Sequence, residues 1–374
     1  MKKVVIVGAG FAGLSVLSRI NRLRKDFNLI LIDKRDKSNF LPLLPDIIGR
    51  KIKPDFLEFD LEYLSRKKGV KFIKDEVVSV NLDKNVVYTA GDSFTYDYII
   101  LANGSETNFY GNKDIKQSSY TLDSVESLIK MRAALEKDDF DSFIISGGGY
   151  TGIEITTNLK RFFNTRKKNK KIIIVEKGKN ILGQLPEWMR DYTLENLKNL
   201  DIEVLTHSMV EKVEENSIHL SGGRVYSKAM LVWTAGVKTT DFIYNLPLEK
   251  DKQGRLKVDE SLRIKSNCFA AGDVASFSHR RERPLRMAVQ FSIAQGHLAG
   301  ENTVRSVFGI PLKKYRPRDL GFIVPMANNK SCGRVMGFNT RGKLATFLHY
   351  LMCIYRSHAL GNKAGIFADL INSK

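Results

Sequence analysis

The sequence predicts an α/β fold of two similar units, one inserted in the other, with an amphipathic helical region at the C-terminus. Three observations predict it. A glycine fingerprint occurs twice, as VVIVGAGFAGLS with Gly8, Gly10 and Gly13 and as SFIISGGGYTGIEI with Gly147, Gly149 and Gly152. Each copy is followed by a second apolar run that ends in an acid, LILID at Asp33 and IIIVE at Glu176. From about residue 313 the apolar spacing changes character. A Val/Ile-rich run, a glycine turn, an amphipathic stretch and a second apolar run read as strand, turn, helix and strand. The first glycine permits the tight turn, the second lets backbone approach a pyrophosphate, and the third lets helix and strand pack closely. The pyrophosphate sits on the positive helix end, and the acid accepts hydrogen bonds from a ribose. Two such turns make two Rossmann-like domains and imply two dinucleotides, held so that a hydride can pass between them.

The 374 residues suffice for two or three domains, and 43% hydrophobic content suits a globular core. A net charge of +19 points to an anionic partner: lipid headgroups, nucleic acid or acidic protein. The three cysteines, Cys268, Cys332 and Cys353, form no CxxC pair, which argues for a reducing compartment and against a thiol relay. No run reaches the roughly 18 to 20 apolar residues that span a bilayer, and no signal peptide is expected. Histidine shows no metal-ligand spacing, so no metal site is expected.

The elements follow in order. Residues 1–35 form the opening βαβ unit, and NFLPLLPDIIG (39–49) reads as a loop near a cofactor. Residues 70–105 make a small antiparallel excursion and return to the sheet at YDYIILANG. Residues 114–140 are helical and lead into the second βαβ unit at 143–176. A second antiparallel excursion spans about 202–232 and ends in AMLVWTAGV (229–237). NCFAAGDVA (267–275) adds a strand and glycine turn, and a long helix follows from about 286 to 308. The expected division is 1–112 and 239–312 for the first domain, 113–238 for the second, and 313–374 for the C-terminal region.

GAGFAG, LANG, GGGYTGIE, WTAGV and AAGDVA, in this order, resemble the two-dinucleotide flavoproteins of the pyridine nucleotide-disulfide oxidoreductase superfamily. NFLPLLP, YDYIILANGSETNFYG and GRLKVDESLR…FAAGDVA are most similar to the type II NADH dehydrogenases, which are non-proton-pumping NADH:quinone oxidoreductases. The resemblance covers essentially the whole chain. It implies FAD held by Gly8, Gly10, Phe11, Ala12, Gly13, Asp33, Lys34, Val77, Ala102, Asn103, Gly104, Gly272, Asp273, Val289 and Gln290. It implies NADH on Gly147, Gly149, Tyr150, Thr151, Gly152, Glu154, Glu176 and Gly236. Glu176 would bind the adenosine 2′-hydroxyl and repel a 2′-phosphate, a preference that Lys177 and Lys179 weaken. Glu154 and Gln290 are the expected catalytic residues, Glu154 beside the nicotinamide and flavin.

The resemblance also implies an acceptor site at MAVQFSIAQG (287–296), where Gln290 and Gln295 match the family pattern. Val289, Ser292 and Ala294 depart from it and leave the quinone, menaquinone or ubiquinone, open. In residues 344–371 the apolar positions recur mostly at i, i+3, i+4, with a break near Gly361. That predicts one helix lying in a membrane interface, with Tyr350, Tyr355, Arg356 and Lys363 at headgroup level, then a second short helix. KKYRPR (313–318) and RRER (280–283) would add attraction to anionic lipid. The same face could instead pack on the core or form a homodimer. The expected location is the cytoplasmic side of the cell membrane, peripheral. Other readings stay open: a soluble NAD(P)H-dependent reductase of a ferredoxin- or rubredoxin-type acceptor or of oxygen, or a redox-sensing nucleic-acid-binding flavoprotein. A sulfide:quinone oxidoreductase is disfavoured, because it needs catalytic cysteines that Cys268 and Cys332 do not arrange and because the second fingerprint with Glu176 points to NADH. Nucleic acid is not the expected partner, because the basic residues are scattered rather than interleaved with aromatics.

Overall fold

Apolar runs without alternation bury both faces of a strand, so they form parallel sheets covered by helices on either side. A computed structural model describes all residues except 24, 25, 216, 279–283 and 374, and it shows two such sheets. The basic stretch RRER (280–283) lies outside the described residues. The chain divides into two units: Met1–Ser38, Asp60–Glu106 and Val237–Asp319, and Asn39–Phe59, Thr107–Gly236 and Leu320–Lys374.

The first unit holds a six-stranded sheet in the order Arg263–Lys265, Cys268–Ala270, Tyr98–Leu101, Lys3–Val7, Asn28–Asp33, Lys71–Lys74. All neighbours run parallel except Arg263–Lys265 against Cys268–Ala270. Val4, Val5 and Ile6 are fully buried at its centre. The helices Phe11–Leu23 and Val289–Val307 meet along small residues. A Cβ on Gly296 would lie 2.3 Å from the Ala12 carbonyl oxygen, and one on Gly300 would lie 2.9 Å from that of Val16. The first antiparallel excursion is the three-stranded sheet Val77–Asn81, Val86–Thr89 and Ser93–Thr95.

The second unit holds a five-stranded parallel sheet in the order Ser119–Tyr120, Ala229–Trp233, Ser142–Ser146, Lys171–Val175, Glu203–Leu205. Its antiparallel excursion is Val210–Glu214, Ser217–Leu220 and Val225–Ser227. Segment 39–49 was expected as loop, but it contains a 3₁₀ turn at Leu41–Leu43 and a helical turn at Asp46–Gly49. Pro42 lies in the first turn of the former and Pro45 caps the latter, positions where proline's fixed φ starts a helix.

From Leu320 onward the C-terminal region belongs to this second unit. It comprises the meander Gly321–Val324, Cys332–Val335 and Phe338–Arg341, then the helices Lys343–Arg356 and Leu360–Asn372. The break falls at 357–359 and not at Gly361, which lies inside the second helix. Ser357 closes the first helix through its N–H to the carbonyls of Cys353 and Ile354, and Ala359 is extended. No helix among the described residues is long and apolar enough to cross a membrane.

Candidate functional site

The first glycine turn connects Lys3–Val7 to Phe11–Leu23. Gly8 has φ +96°, and a Cβ there would lie 2.5 Å from the Ala102 carbonyl oxygen. A Cβ on Gly13 would lie 1.8 Å from the Gly8 carbonyl oxygen, whereas one on Gly10 would meet no protein atom within 4 Å. Phe11 and Ala12 open the helix behind the turn. Asp33 ends the second strand. Its Oδ2 accepts the Ala9 N–H at 2.7 Å and its Oδ1 accepts the Arg35 N–H at 2.9 Å. The acid therefore ties the turn to the strand end before any ligand arrives. Lys34 beside it pairs with Glu76 at 3.1 Å.

Four further segments of this unit carry expected FAD residues. Asn103 donates from Nδ2 to Thr240 Oγ1 at 2.8 Å, while its buried Oδ1 has no partner. Gly104 follows with φ +71°. Gly272, with φ +83°, donates its N–H to Gln295 Oε1 at 2.8 Å. Asp273 accepts from Ser105 Oγ at 3.0 Å, and burial pushes its carboxyl up from the ordinary range. Val289 starts its helix after Ala288, which offers no side-chain cap, so the first N–H groups have no side-chain acceptor from the cap. Gln290 reaches sideways, donating to Asp319 Oδ1 at 3.1 Å, and Gln295 is the glutamine buried against the turn. Val77 is 8% exposed and packs in the core with Val80 and Val87. The narrow turn, the start of the helix Val289–Val307 without a side-chain cap and the orphaned Asn103 Oδ1 fit a dinucleotide pyrophosphate and a polar ring edge.

The second turn repeats the first. Gly147 has φ +111°, with a Cβ there 2.8 Å from the Thr234 carbonyl oxygen. A Cβ on Gly152 would lie 1.9 Å from the Gly147 carbonyl oxygen, and one on Gly149 would meet nothing within 4 Å. Gly149 caps the helix Tyr150–Asn164 without a side chain. Glu176 accepts the Gly148 N–H at 2.8 Å and the Gly178 N–H at 2.6 Å. Tyr150 turns its ring edge to Phe322 at 6.3 Å, while Thr151, Lys177 and Lys179 are exposed. Gly236, with φ +141°, sits where a Cβ would lie 2.7 Å from the Tyr110 hydroxyl, and that hydroxyl donates to the Ala235 carbonyl at 2.9 Å.

Glu154 lies two residues beyond Gly152, half-buried, with no partner for its buried Oε1. The structure adds neighbours that the sequence did not announce. Asp46, 1% exposed, comes to it because Gly49 lets the turn Asp46–Gly49 lie on the helix; a Cβ on Gly49 would be 2.8 Å from Asn158 backbone. One donor atom each of Asp46, Glu154 and His349 lie within 4.8 Å of one another. Tyr350 donates to Asp46 Oδ1 at 2.8 Å, and Arg50 Nε stands 3.4 Å from the same oxygen. Burial and the Asp46 charge push the Glu154 carboxyl well above its ordinary range. Positions 46, 154 and 349 are too far apart in sequence for any spacing rule to join them. The only hint was that NFLPLLPDIIG and the C-terminal helices each had no assigned packing partner.

The sequence profile of the pyridine nucleotide-disulphide oxidoreductases matches residues 2–296. Demethylphylloquinone reductase NdbB of Synechocystis is 27% identical, with 95% of this chain and 92% of that one covered. The type II NADH:quinone oxidoreductase of Staphylococcus saprophyticus is 25% identical, with 93% of each covered. The structure of NDH2 from Plasmodium falciparum in complex with NADH superposes with a TM-score of 0.88 at 19% identity, over 100% of this chain and 98% of that one. With its profile spanning both glycine turns, the chain belongs to the pyridine nucleotide-disulphide oxidoreductase family.

Proposed function

We propose that this chain is an FAD-dependent oxidoreductase that takes a hydride from NADH and passes two electrons to a membrane quinone, without pumping protons. The observation that carries the reading is the duplicated turn, each copy with an acid bonded into it. Gly8, Gly10, Gly13, Asp33, Asn103, Gly272 and Asp273 would hold FAD. Gly147, Gly149, Gly152 and Glu176 would hold NADH. When bound, the flavin supplies the two-electron chemistry that side chains cannot. The chain's residues position and insulate. The turn N–H groups neutralise pyrophosphate, Glu176 favours a free 2′-hydroxyl, and Glu154 supplies a carboxyl whose protonated form burial and the Asp46 charge favour. The relatives named as quinone reductases support the acceptor class.

The C-terminal helices support a peripheral membrane location. Leu344, Phe347, Leu351 and Tyr355 form one stripe, each 48% or more exposed, and Leu360, Phe367 and Ile371 continue the exposure on the next helix. That face suits the headgroup–acyl boundary of an anionic bilayer on the cytoplasmic side. Of KKYRPR, Lys313 pairs with Glu301 and Lys314 with Glu260, so these two contribute less to lipid attraction than the sequence suggests. NADH oxidation is measured with a soluble quinone analogue, with and without anionic liposomes. Quinone-dependent turnover that rises with liposomes is expected. Flavin reduction without quinone turnover defeats the acceptor assignment. Turnover indifferent to liposomes, from a protein that sediments as a dimer, assigns the apolar face to a second copy of the chain.

A further inference from the structure

Asp46 is buried and Glu154 half-buried, and each carries one buried oxygen that has no partner. Asp46 Oδ1 is occupied by the Tyr350 hydroxyl and by Arg50, but Oδ2 is buried and unbonded. Glu154 Oε1 is buried and unbonded too. Each residue brings an oxygen within 4.8 Å of the other and of a His349 nitrogen. Two carboxylates this close repel when both are ionised, and one proton shared by the pair removes the repulsion. Placed between them, it turns two orphaned acceptors into a donor and an acceptor. Arg50 is itself locked, donating to the Ala327 carbonyl and to Asn329 Oδ1, with its guanidinium 4.9 Å from the Tyr350 ring centre. Arg161 flanks it, bonded to the Gly49 and Ala327 carbonyls. Two guanidiniums already bring positive charge to the pair, which argues against a divalent cation on the same three donors.

We propose that Asp46 and Glu154 hold a single proton between them, with Asp46 the positioning residue that keeps Glu154 protonated for the quinone reaction. The role in turnover rests on the function proposed above; the shared proton does not. Burial drives both carboxyls up. Asp46 rises to about 6, opposed by Arg50, Tyr350 and Arg161, and Glu154 rises well above its ordinary range, the Asp46 charge adding to burial. His349 and Cys353 complete the surroundings, their Nε2 and Sγ 3.6 Å apart. Burial, with Arg50 and Arg356, lowers His349 to about 4, so the ring is neutral and does not compete for the proton.

The test is an infrared pH titration of the purified full chain, reading the protonated-carboxyl stretch. Wild type is expected to keep such a band at neutral pH, and Glu154→Gln to lose it. Asp46→Asn should delete the lower step and move the upper one to lower pH by on the order of one unit. The alkaline limb of quinone-dependent kcat should move the same way. If Asp46→Asn fails to fold, Tyr350→Phe raises the lower step and leaves the upper one in place. A wild type without the band at neutral pH, or a band that survives in Glu154→Gln, overturns the shared proton. Micromolar zinc binding by calorimetry that His349→Ala abolishes overturns it in favour of a metal. Protein that shows the band but does not reduce a quinone sinks the function and spares the pair. Protein that turns over without the band does the reverse.

Discussion

The two glycine turns are the same object until the second residue past the third glycine, and there they part. In both, the first glycine has positive φ, the second would place a Cβ in open space, and the third would drive a Cβ into the first glycine's carbonyl, at 1.8 Å in one and 1.9 Å in the other. In both, an acid on the neighbouring strand accepts the N–H of the residue after the first glycine, Ala9 in one and Gly148 in the other. Two residues past Gly13 stands Ser15, whose hydroxyl closes on its own helix at the Phe11 carbonyl, 2.6 Å away. Two residues past Gly152 stands Glu154, with a buried oxygen that bonds to nothing. The steric cradle is kept twice, and a buried carboxyl oxygen without a partner stands in one copy only.

The largest effects should come from the shared part. Gly13→Ala and Gly152→Ala both force backbone apart, a cost of about 1–3 kcal/mol or more. If the turns divide the labour as proposed, they fail differently. Gly13→Ala should purify without flavin, as read by absorbance. Gly152→Ala should keep flavin and lose NADH affinity. Flavin loss from both variants alike would break the assignment of one nucleotide to each turn. Next come the acids. Glu176→Ala removes a charged acceptor of two N–H groups and a ribose contact. It should raise the KM for NADH by about tenfold or more with little change in kcat. Asp33→Ala should instead weaken flavin retention. If NADPH proves the better donor for the unmodified protein, the role given to Glu176 is wrong. The divergent position sharpens the contrast. Ser15→Ala should leave quinone-dependent turnover within about twofold, whereas Glu154→Gln should lower it at least about tenfold, as one well-placed proton donor contributes 10² or more.

These contrasts also mark what a sequence can carry. The glycine turns were legible because their constraint is local: a positive φ, a Cβ clash and an acid at fixed distance all fall within one βαβ unit. The helices Lys343–Arg356 and Leu360–Asn372 were legible as amphipathic, because period alone announces them. Their partners were not. Asp46 meets Tyr350 across 304 residues, and Asn362 donates to the Phe56 and Glu58 carbonyls, joining segments whose sequences hold no mutual signal. The backbone bonds of Asp33 and Glu176 were hidden for a different reason. A carboxylate has more lone pairs than one ribose uses, and nothing in the residue's identity says that backbone claims the rest first. The break after Arg356 was misplaced at Gly361 because glycine in a helix's first turn costs little, while Ser357 ends the preceding helix through backbone alone.

The smallest expected effect concerns the region that has no counterpart in the first unit. His358 follows the first C-terminal helix and packs against Phe40 and Phe59, with ring centres 6.3 and 5.7 Å away. Burial, aided by Lys363, lowers its pKa to about 4. The unfolded chain, with an ordinary histidine near 6.5, then binds a proton that the folded chain refuses between about 6.5 and 4. Stability from this residue is complete above the unfolded value and is lost as pH falls through that window. His349 acts in the same direction, and Asp46, raised to about 6, acts oppositely below its own value. A comparison with His358→Phe isolates the one contribution, since the variant keeps a ring between Phe40 and Phe59 but binds no proton. Its Tm should fall by a few degrees less than that of the wild type between pH 7 and pH 5. Parallel curves would mean that His358 is open to protonation in the folded chain, and that the C-terminal helices are looser against segment 39–59 than their hydrogen bonds imply.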